Sequence, residues 1–122
     1  MKINGIKLLT ISNCCLQKYR DVTRKGKNYS DLDIAKRLTR HYILGTLIHE
    51  ENNNIATFNF GNMDIVVDLI DMVVITCRNY RGDSLINVSK VDNEEKREWG
   101  RILEIKIDNI WDLVSNTYGV QV

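Results

Sequence analysis

Residues 55–79 read IATFNFGNMDIVVDLIDMVVITCRN, and this stretch decides the fold. Three runs rich in β-branched and aromatic residues, at 55–60, 64–69 and 72–79, are separated by Gly61-Asn62 and Ile70-Asp71. Connections this short join antiparallel neighbours, so the stretch predicts a meander. The run MVVITC at 72–77 does not alternate, which predicts a central strand covered on both faces. Just upstream, YILGTLIH at 42–49 predicts one more strand, with Glu50-Glu51-Asn52-Asn53-Asn54 as the loop tip between them.

Working outward, IKLLTI at 6–11 predicts an N-terminal strand after an Asn4-Gly5 turn, and 85–88 a short one. Ser12-Asn13 caps a short helix starting near Cys14, with Leu16, Tyr19 and Val22 on one side. Ser30 caps a second, over about 31–41. In it Leu32, Ala35 and Leu38 recur at i and i+3, and Lys36, Arg37 and Arg40 face away. Asp92 caps a long C-terminal helix running to about Thr117, where Tyr118-Gly119 stops it. Its stripe is Trp99, Leu103, Ile107, Ile110 and Val114, widened by Ile102, Ile105 and Trp111.

A helix of ~25 residues is ~37 Å long, and a globule of this size is only ~28 Å across. The overhang predicts a second subunit, with C-terminal helices packed about a two-fold axis. A break near Asp108-Asn109 is the competing possibility. The expected fold is thus α+β: an antiparallel four- to five-stranded meander, two short N-terminal helices and one long C-terminal helix that dimerises.

The chain of 122 residues makes one domain, 1–122. At 43% hydrophobic and 27% charged, it has the composition of a globular protein. No run approaches ~18 apolar residues, so no membrane span is expected, and the N-terminus does not read as a signal peptide. Three cysteines, with Cys14 and Cys15 adjacent, form no disulfide framework and no CxxC pair. They imply an intracellular protein with structural thiols and no metal.

The net charge of +1 hides an asymmetry. Residues 1–41 hold ten basic and three acidic side chains, and residues 42–122 hold seven and thirteen. A basic half can meet a phosphorylated partner, or the acidic half of a second copy. The balanced total argues against a dedicated nucleic-acid binder, whose pI is usually above ~9.

No Walker loop, dinucleotide fingerprint, zincin or nucleophile-elbow motif is present. His41 and His49 are the two candidates for a general base. The chemistry-bearing groups gather elsewhere. Arg78, Asn79, Tyr80 and Arg81 lie where a strand emerges into a turn. Phe58, Phe60 and Asn62 mark a hairpin, and Asn93, Lys96, Arg97, Trp99 and Arg101 the first turns of the last helix. Arginine clamps phosphate bidentately, an aromatic ring stacks a base, and an asparagine bonds a base edge or ribose. One reading is a pocket that stacks a base and clamps phosphates. In the other, Phe58, Phe60 and Trp99 are core and the arginines pair with Glu94, Glu95 and Asp83.

Two family resemblances bear on the choice. The order of short helix, basic helix, meander and Asn-Tyr-Arg-Gly-Asp turn resembles small bacterial ribonuclease-toxin-like domains. Their His-Ala-x-x-Arg-like motif falls here on Cys14-Cys15-Leu16-Gln17-Lys18, with cysteine in place of the histidine. The departure removes the obvious proton carrier and favours binding without turnover. The whole chain, and locally ATFNFGNMDIVVDLIDMVVITCRNYRGD and EEKREWGRILEIK, resembles the phage anti-Thoeris sponge proteins of the first Thoeris anti-defence family. Those capture cyclic ADP-ribose isomers made by bacterial TIR-domain enzymes and do not degrade them.

That second resemblance implies a non-enzymatic, homo-oligomeric sponge without a cofactor, acting in the cytoplasm of an infected bacterium. It assigns Arg78, Arg81, Arg97 and Arg101 to the pyrophosphate. Phe58, Phe60, Tyr80 or Trp99 would stack the base, and Asn62, Asn79 or Asn93 bond the riboses. Arg24 and Lys27 would be spare for a second anionic ligand. A ribonuclease-toxin-like domain and a host-enzyme inhibitor are the alternatives.

Overall fold

The computed structural model describes residues 1–23, 26–51, 54–79 and 93–105. Strands β1 (Lys2–Ile3) and β2 (Ile6–Lys7) form a small hairpin. Asn4 and Gly5 at its tip have φ of 51° and 81°, the pair of positive values that a type I′ turn demands. Strand β3 (Thr10–Ile11) leads into helix α1 (Asn13–Val22). After a one-turn 3₁₀ segment, Gly26–Asn28, comes helix α2 (Asp31–Leu44). Ser12 and Ser30 cap α1 and α2 through their hydroxyls, which accept from the N–H groups of Cys15 and Asp33 at 3.0 and 3.1 Å.

Strands β4 (Thr46–Glu50), β5 (Ile55–Phe60), β6 (Met63–Asp68) and β7 (Val73–Asn79) follow, then helix α3 (Asn93–Ile102). The main sheet has the order β3-β7-β6-β5-β4. β4 to β7 are the antiparallel meander, with Phe60 paired to Met63 across Gly61-Asn62. β3 joins its far edge parallel to β7, Thr10 against Val73 and Ile11 against Val74. The sheet is therefore mixed and not the antiparallel meander expected. A two-residue strand whose partner lies 63 residues away leaves no periodic trace in sequence.

Three further expectations are corrected. Residues 42–44 continue α2, and the strand expected over 42–49 runs instead over Thr46–Glu50. β7 is not covered on both faces: Val74 and Cys77 are buried, but Ile75 is 38% exposed. The largest correction concerns the C-terminal helix, which ends after ten residues. Glu104 takes φ 57°, its N–H bonds Arg101 O at 3.1 Å, and the Ile105 N–H bonds Gly100 O at 2.8 Å. This is a Schellman turn. Side chains from elsewhere reinforce it. Asn4 Nδ2 donates to Ile102 O at 2.7 Å, and Lys36 Nζ donates to Glu104 O at 3.1 Å.

Tertiary caps on the last carbonyls thus override a stripe that would otherwise continue. Ten residues span only ~15 Å, so α3 does not overhang, and the geometric argument for a two-fold helix pair lapses. The stripe positions Ile107, Ile110, Trp111 and Val114, and the short strand expected at 85–88, lie outside the described residues. Glu104→Gly should stabilise the fold by about 0.5–1 kcal/mol, because glycine removes the left-handed strain of a side-chain-bearing residue. Urea denaturation measures it; a loss of stability would mean that the Glu104 side chain matters more than its backbone.

α1 and α2 cover one sheet face. Their core joins Cys15, Tyr19, Ile34 and Leu38 to Ile65, Val67, Val74 and Cys77. The Cys77 Sγ lies 4.0 Å from Cys15 O, and the hydrogen bond between the two thiols, with burial, pushes the Cys15 thiol up. A thiol held protonated in a core is inert. A second cluster joins Ile3, Leu8 and Leu103, with Trp99 and Ile105 packed against it.

Gly45 closes α2 against the sheet. Its φ of −74° suits any residue, but a Cβ there would lie 2.6 Å from His41 O, 3.2 Å from Asn59 O and 3.3 Å from Phe58 Cβ. The requirement is for space, not for conformational freedom. Gly45→Ala should cost about 1–3 kcal/mol, the usual range for overpacking, because backbone must shift to admit the methyl group. A denaturation midpoint unchanged from the parent would show that the helix–strand junction is looser than this.

Candidate functional site

α2 is the organising element. Arg37, Arg40 and His41 stand at i, i+3 and i+4, so they share a helix face. This face is not the solvated one that alternation of charge and apolar residues suggests. α3 crosses it, with Gly100 facing Arg40, where a Cβ would lie 3.2 Å from Arg40 Nη1. Arg40 Nη1 points to Lys96 O at 3.5 Å, and Lys36 is buried under the α3 C-terminus. The Arg37 guanidinium lies 4.2 Å over the Tyr29 ring.

Between α2, α3 and the β5–β6 hairpin lies a cleft of about 400 Å³. α2 contributes Arg37, Leu38, Arg40 and His41, and α3 contributes Lys96. The hairpin contributes Phe60, Gly61, Asn62 and Met63, and Tyr19 of α1 closes one side. Gly61 turns the hairpin with φ 60°, a value that glycine adopts without cost. The volume falls in the range of ordinary small-molecule sites, ~300–1,000 Å³.

His41 anchors the hairpin to α2. Its Nε2 lies 2.8 Å from Met63 O. A carbonyl can only accept, so Nε2 carries a proton; burial keeps the ring neutral, which leaves Nδ1 bare. Phe60 meets the ring edge-on, centroids 5.3 Å apart. Burial lowers the His41 pKa to about 4, with Arg40 and Lys96 adding to the effect; the Met63 carbonyl and Asp64 oppose it.

The residues singled out in the sequence divide among several places. Phe60 and Asn62 line the cleft. Phe58 packs in the core, 4.9 Å from Tyr42 and edge-on to it. Trp99 packs against the Ile3–Leu8–Leu103 cluster. Arg78 is on the opposite sheet face, where its Nε donates to the buried Asp64 Oδ2 at 3.3 Å; Asn59 Nδ2 donates to Oδ1 at 2.9 Å. Asn79 pairs in register with Met63.

Arg97 and Arg101 line a separate groove of about 380 Å³ on α3 with Glu94 and Glu98, and Arg101 is ion-paired with Glu98. Asn93 is exposed at the start of α3, and Lys27 is exposed in the 3₁₀ turn. Arg24, Tyr80 and Arg81 lie outside the described residues. His49 is exposed on β4, 3.7 Å from Glu51, and does not line the cleft.

Sequence reading named Lys96 among the pocket groups but missed Tyr19, Arg37, Arg40 and His41 as lining residues. The i, i+3, i+4 spacing of Arg37, Arg40 and His41 was the available signal. That α3 would cross above them could not be read from it.

Among the described residues no three His, Cys, Asp or Glu side chains are grouped to hold a metal, and no helix is long and apolar enough to cross a membrane. No protein-family model matches the chain, and neither a curated protein nor a solved structure matches it.

Proposed function

We propose that the protein binds and sequesters a small anionic nucleotide of the cyclic ADP-ribose type, without altering it, in the α2–α3–hairpin cleft. One observation carries this reading: Arg37, Arg40 and Lys96, from two helices, converge on a single cleft that also presents Phe60 and Asn62. Two arginines and a lysine suit a pyrophosphate, an aromatic ring suits an adenine, and an exposed amide suits a ribose.

Each charge-assisted hydrogen bond to the ligand contributes roughly 1.5–3 kcal/mol. The lining is held in advance by contacts within the fold, such as Arg37 on Tyr29, which lowers the ordering cost of binding. Binding without turnover accords with His41. Its Nε2–H is committed to Met63 O, and in the free protein a pKa of about 4 makes it a weak base at neutral pH. In a phage-infected bacterium such a sponge would blunt Thoeris defence by withdrawing its signal. Homo-oligomerisation belongs to the same proposal and draws on the resemblance to the sponge family.

The test is to incubate the pure protein with cyclic ADP-ribose, filter it, heat-denature the retained protein and chromatograph both fractions. Intact nucleotide released on denaturation is the expected result. Altered nucleotide would turn the protein into an enzyme, with His41 and His49 as first targets. Free, unaltered nucleotide throughout would remove this ligand class.

A further inference from the structure

The wall of the cleft contains an imidazole that burial keeps neutral in the free protein, and the pyrophosphate, base and ribose contacts give it no part in binding. His41 shares the α2 face with Arg37 and Arg40. The charged groups acting on its ring come from three elements: Arg40 on α2, Lys96 on α3 and Asp64 on β6. Burial and the two cations disfavour imidazolium. An anion bound among the same cations reverses the local field. The ring has a place for the proton, since Nε2–H already donates to Met63 O and Nδ1 holds a lone pair.

We infer that the cleft takes up a proton together with its anion, and that His41 is the group that receives it. This rests on the reading of the cleft as an anionic-nucleotide site. The step moves one proton from solvent to Nδ1; the Nε2–H bond to Met63 O is kept, and no other bond changes. The bound pyrophosphate gains a cation, and the hairpin stays tied to α2.

A unit negative charge ~6 Å from the ring, at an effective dielectric of ~20, moves the titration up by about two pH units. Affinity then rises about tenfold from pH 7 to pH 5, because the liganded form binds the proton and the free form does not. At pH 8 the linkage vanishes.

The experiment is calorimetric titration with cyclic ADP-ribose at pH 5.5, in two buffers of different ionisation enthalpy, and affinity measurements at pH 5 and 7. The pyrophosphate diester of this probe keeps its charge over that range, whereas a phosphate monoester titrates near pH 6. Far-UV circular dichroism checks that the chain is folded at each pH. The expected result is net proton uptake and the tenfold rise in the parent and in His49→Gln, and neither in His41→Gln. Binding without proton uptake in the parent overturns the proposal, and so does unchanged uptake in His41→Gln. Should His41→Gln fail to fold, the His41 ring is followed by NMR in the parent with and without the probe. An upward move of its titration supports the proposal, and an unmoved one overturns it. Absence of binding at both pH values overturns the cleft reading itself, an outcome distinct from binding without uptake.

Discussion

Acidification from pH 7 to pH 4 should cost the folded protein about 3 kcal/mol through His41 alone. The imidazole is buried, bonded to Met63 O, and held at a pKa of about 4 against 6.5 for a free side chain. Above pH 6.5 both folded and unfolded chains carry it neutral, so it contributes no pH dependence. Below pH 6.5 the unfolded chain binds the proton and the folded chain does not, so stability falls as pH falls. The slope approaches ~1.4 kcal/mol per pH unit and levels off once the folded form also protonates, near pH 4. Urea denaturation at pH 7, 5.5 and 4.5 measures the loss. His41→Gln keeps an amide donor for Met63 O and should remove this part of the slope, leaving that of the carboxylates. Parallel curves for parent and variant would mean that His41 is protonated in the fold, contrary to its surroundings.

The second large effect concerns the cleft. Arg37→Glu combined with Lys96→Glu should weaken binding of cyclic ADP-ribose by a factor of roughly 100 or more, since two charge-assisted contacts of ~1.5–3 kcal/mol each are lost. Each reversal also sets a carboxylate against the anion, which enlarges the effect. The same substitution in the α3 groove, Arg97→Glu, is the comparison. It lies with Glu94 and Glu98, away from Phe60 and Asn62, and should leave affinity within about threefold through long-range charge only. Equal losses from both would move the site to α3 as a whole, or show binding by net charge without a pocket. Circular dichroism guards against the trivial explanation, because Arg37 also packs on Tyr29.

What was legible in the sequence was what is local. Ser12 and Ser30 cap helices because a hydroxyl reaches an N–H three residues on. Asn4-Gly5 makes its turn because both residues tolerate positive φ. The meander follows from short loops between β-rich runs. What was not legible depends on distant partners. β3 pairs through only two residues. α3 stops where Asn4 and Lys36 cap it from the N-terminal half of the chain, although its apolar spacing runs on. Gly45 reads as an ordinary helix terminator, yet its role is to let α2 touch β5.

The candidate site divides along the same line. Phe60 and Asn62 were visible as a hairpin bearing aromatic and amide groups. Lys96 was visible as a pocket group on the last helix, and Arg37 and Arg40 only as a helix face that looked destined for solvent. Only the crossing of α3 over α2 turns Arg37, Arg40 and Lys96 into a wall. Arg78 shows the reverse. Its position at a strand end suggested a phosphate clamp, but the register places it beside Asp64, whose buried carboxylate it bonds.

The measurement that bears most directly on the cleft is amide NMR of the folded protein titrated with cyclic ADP-ribose. The account predicts shifts concentrated at Arg37, Arg40, His41, Phe60 to Met63 and Lys96, saturating together with one affinity. Shifts centred on Arg97 and Arg101, or on Arg78 across the sheet, would contradict it, as would a spectrum that does not respond to the nucleotide.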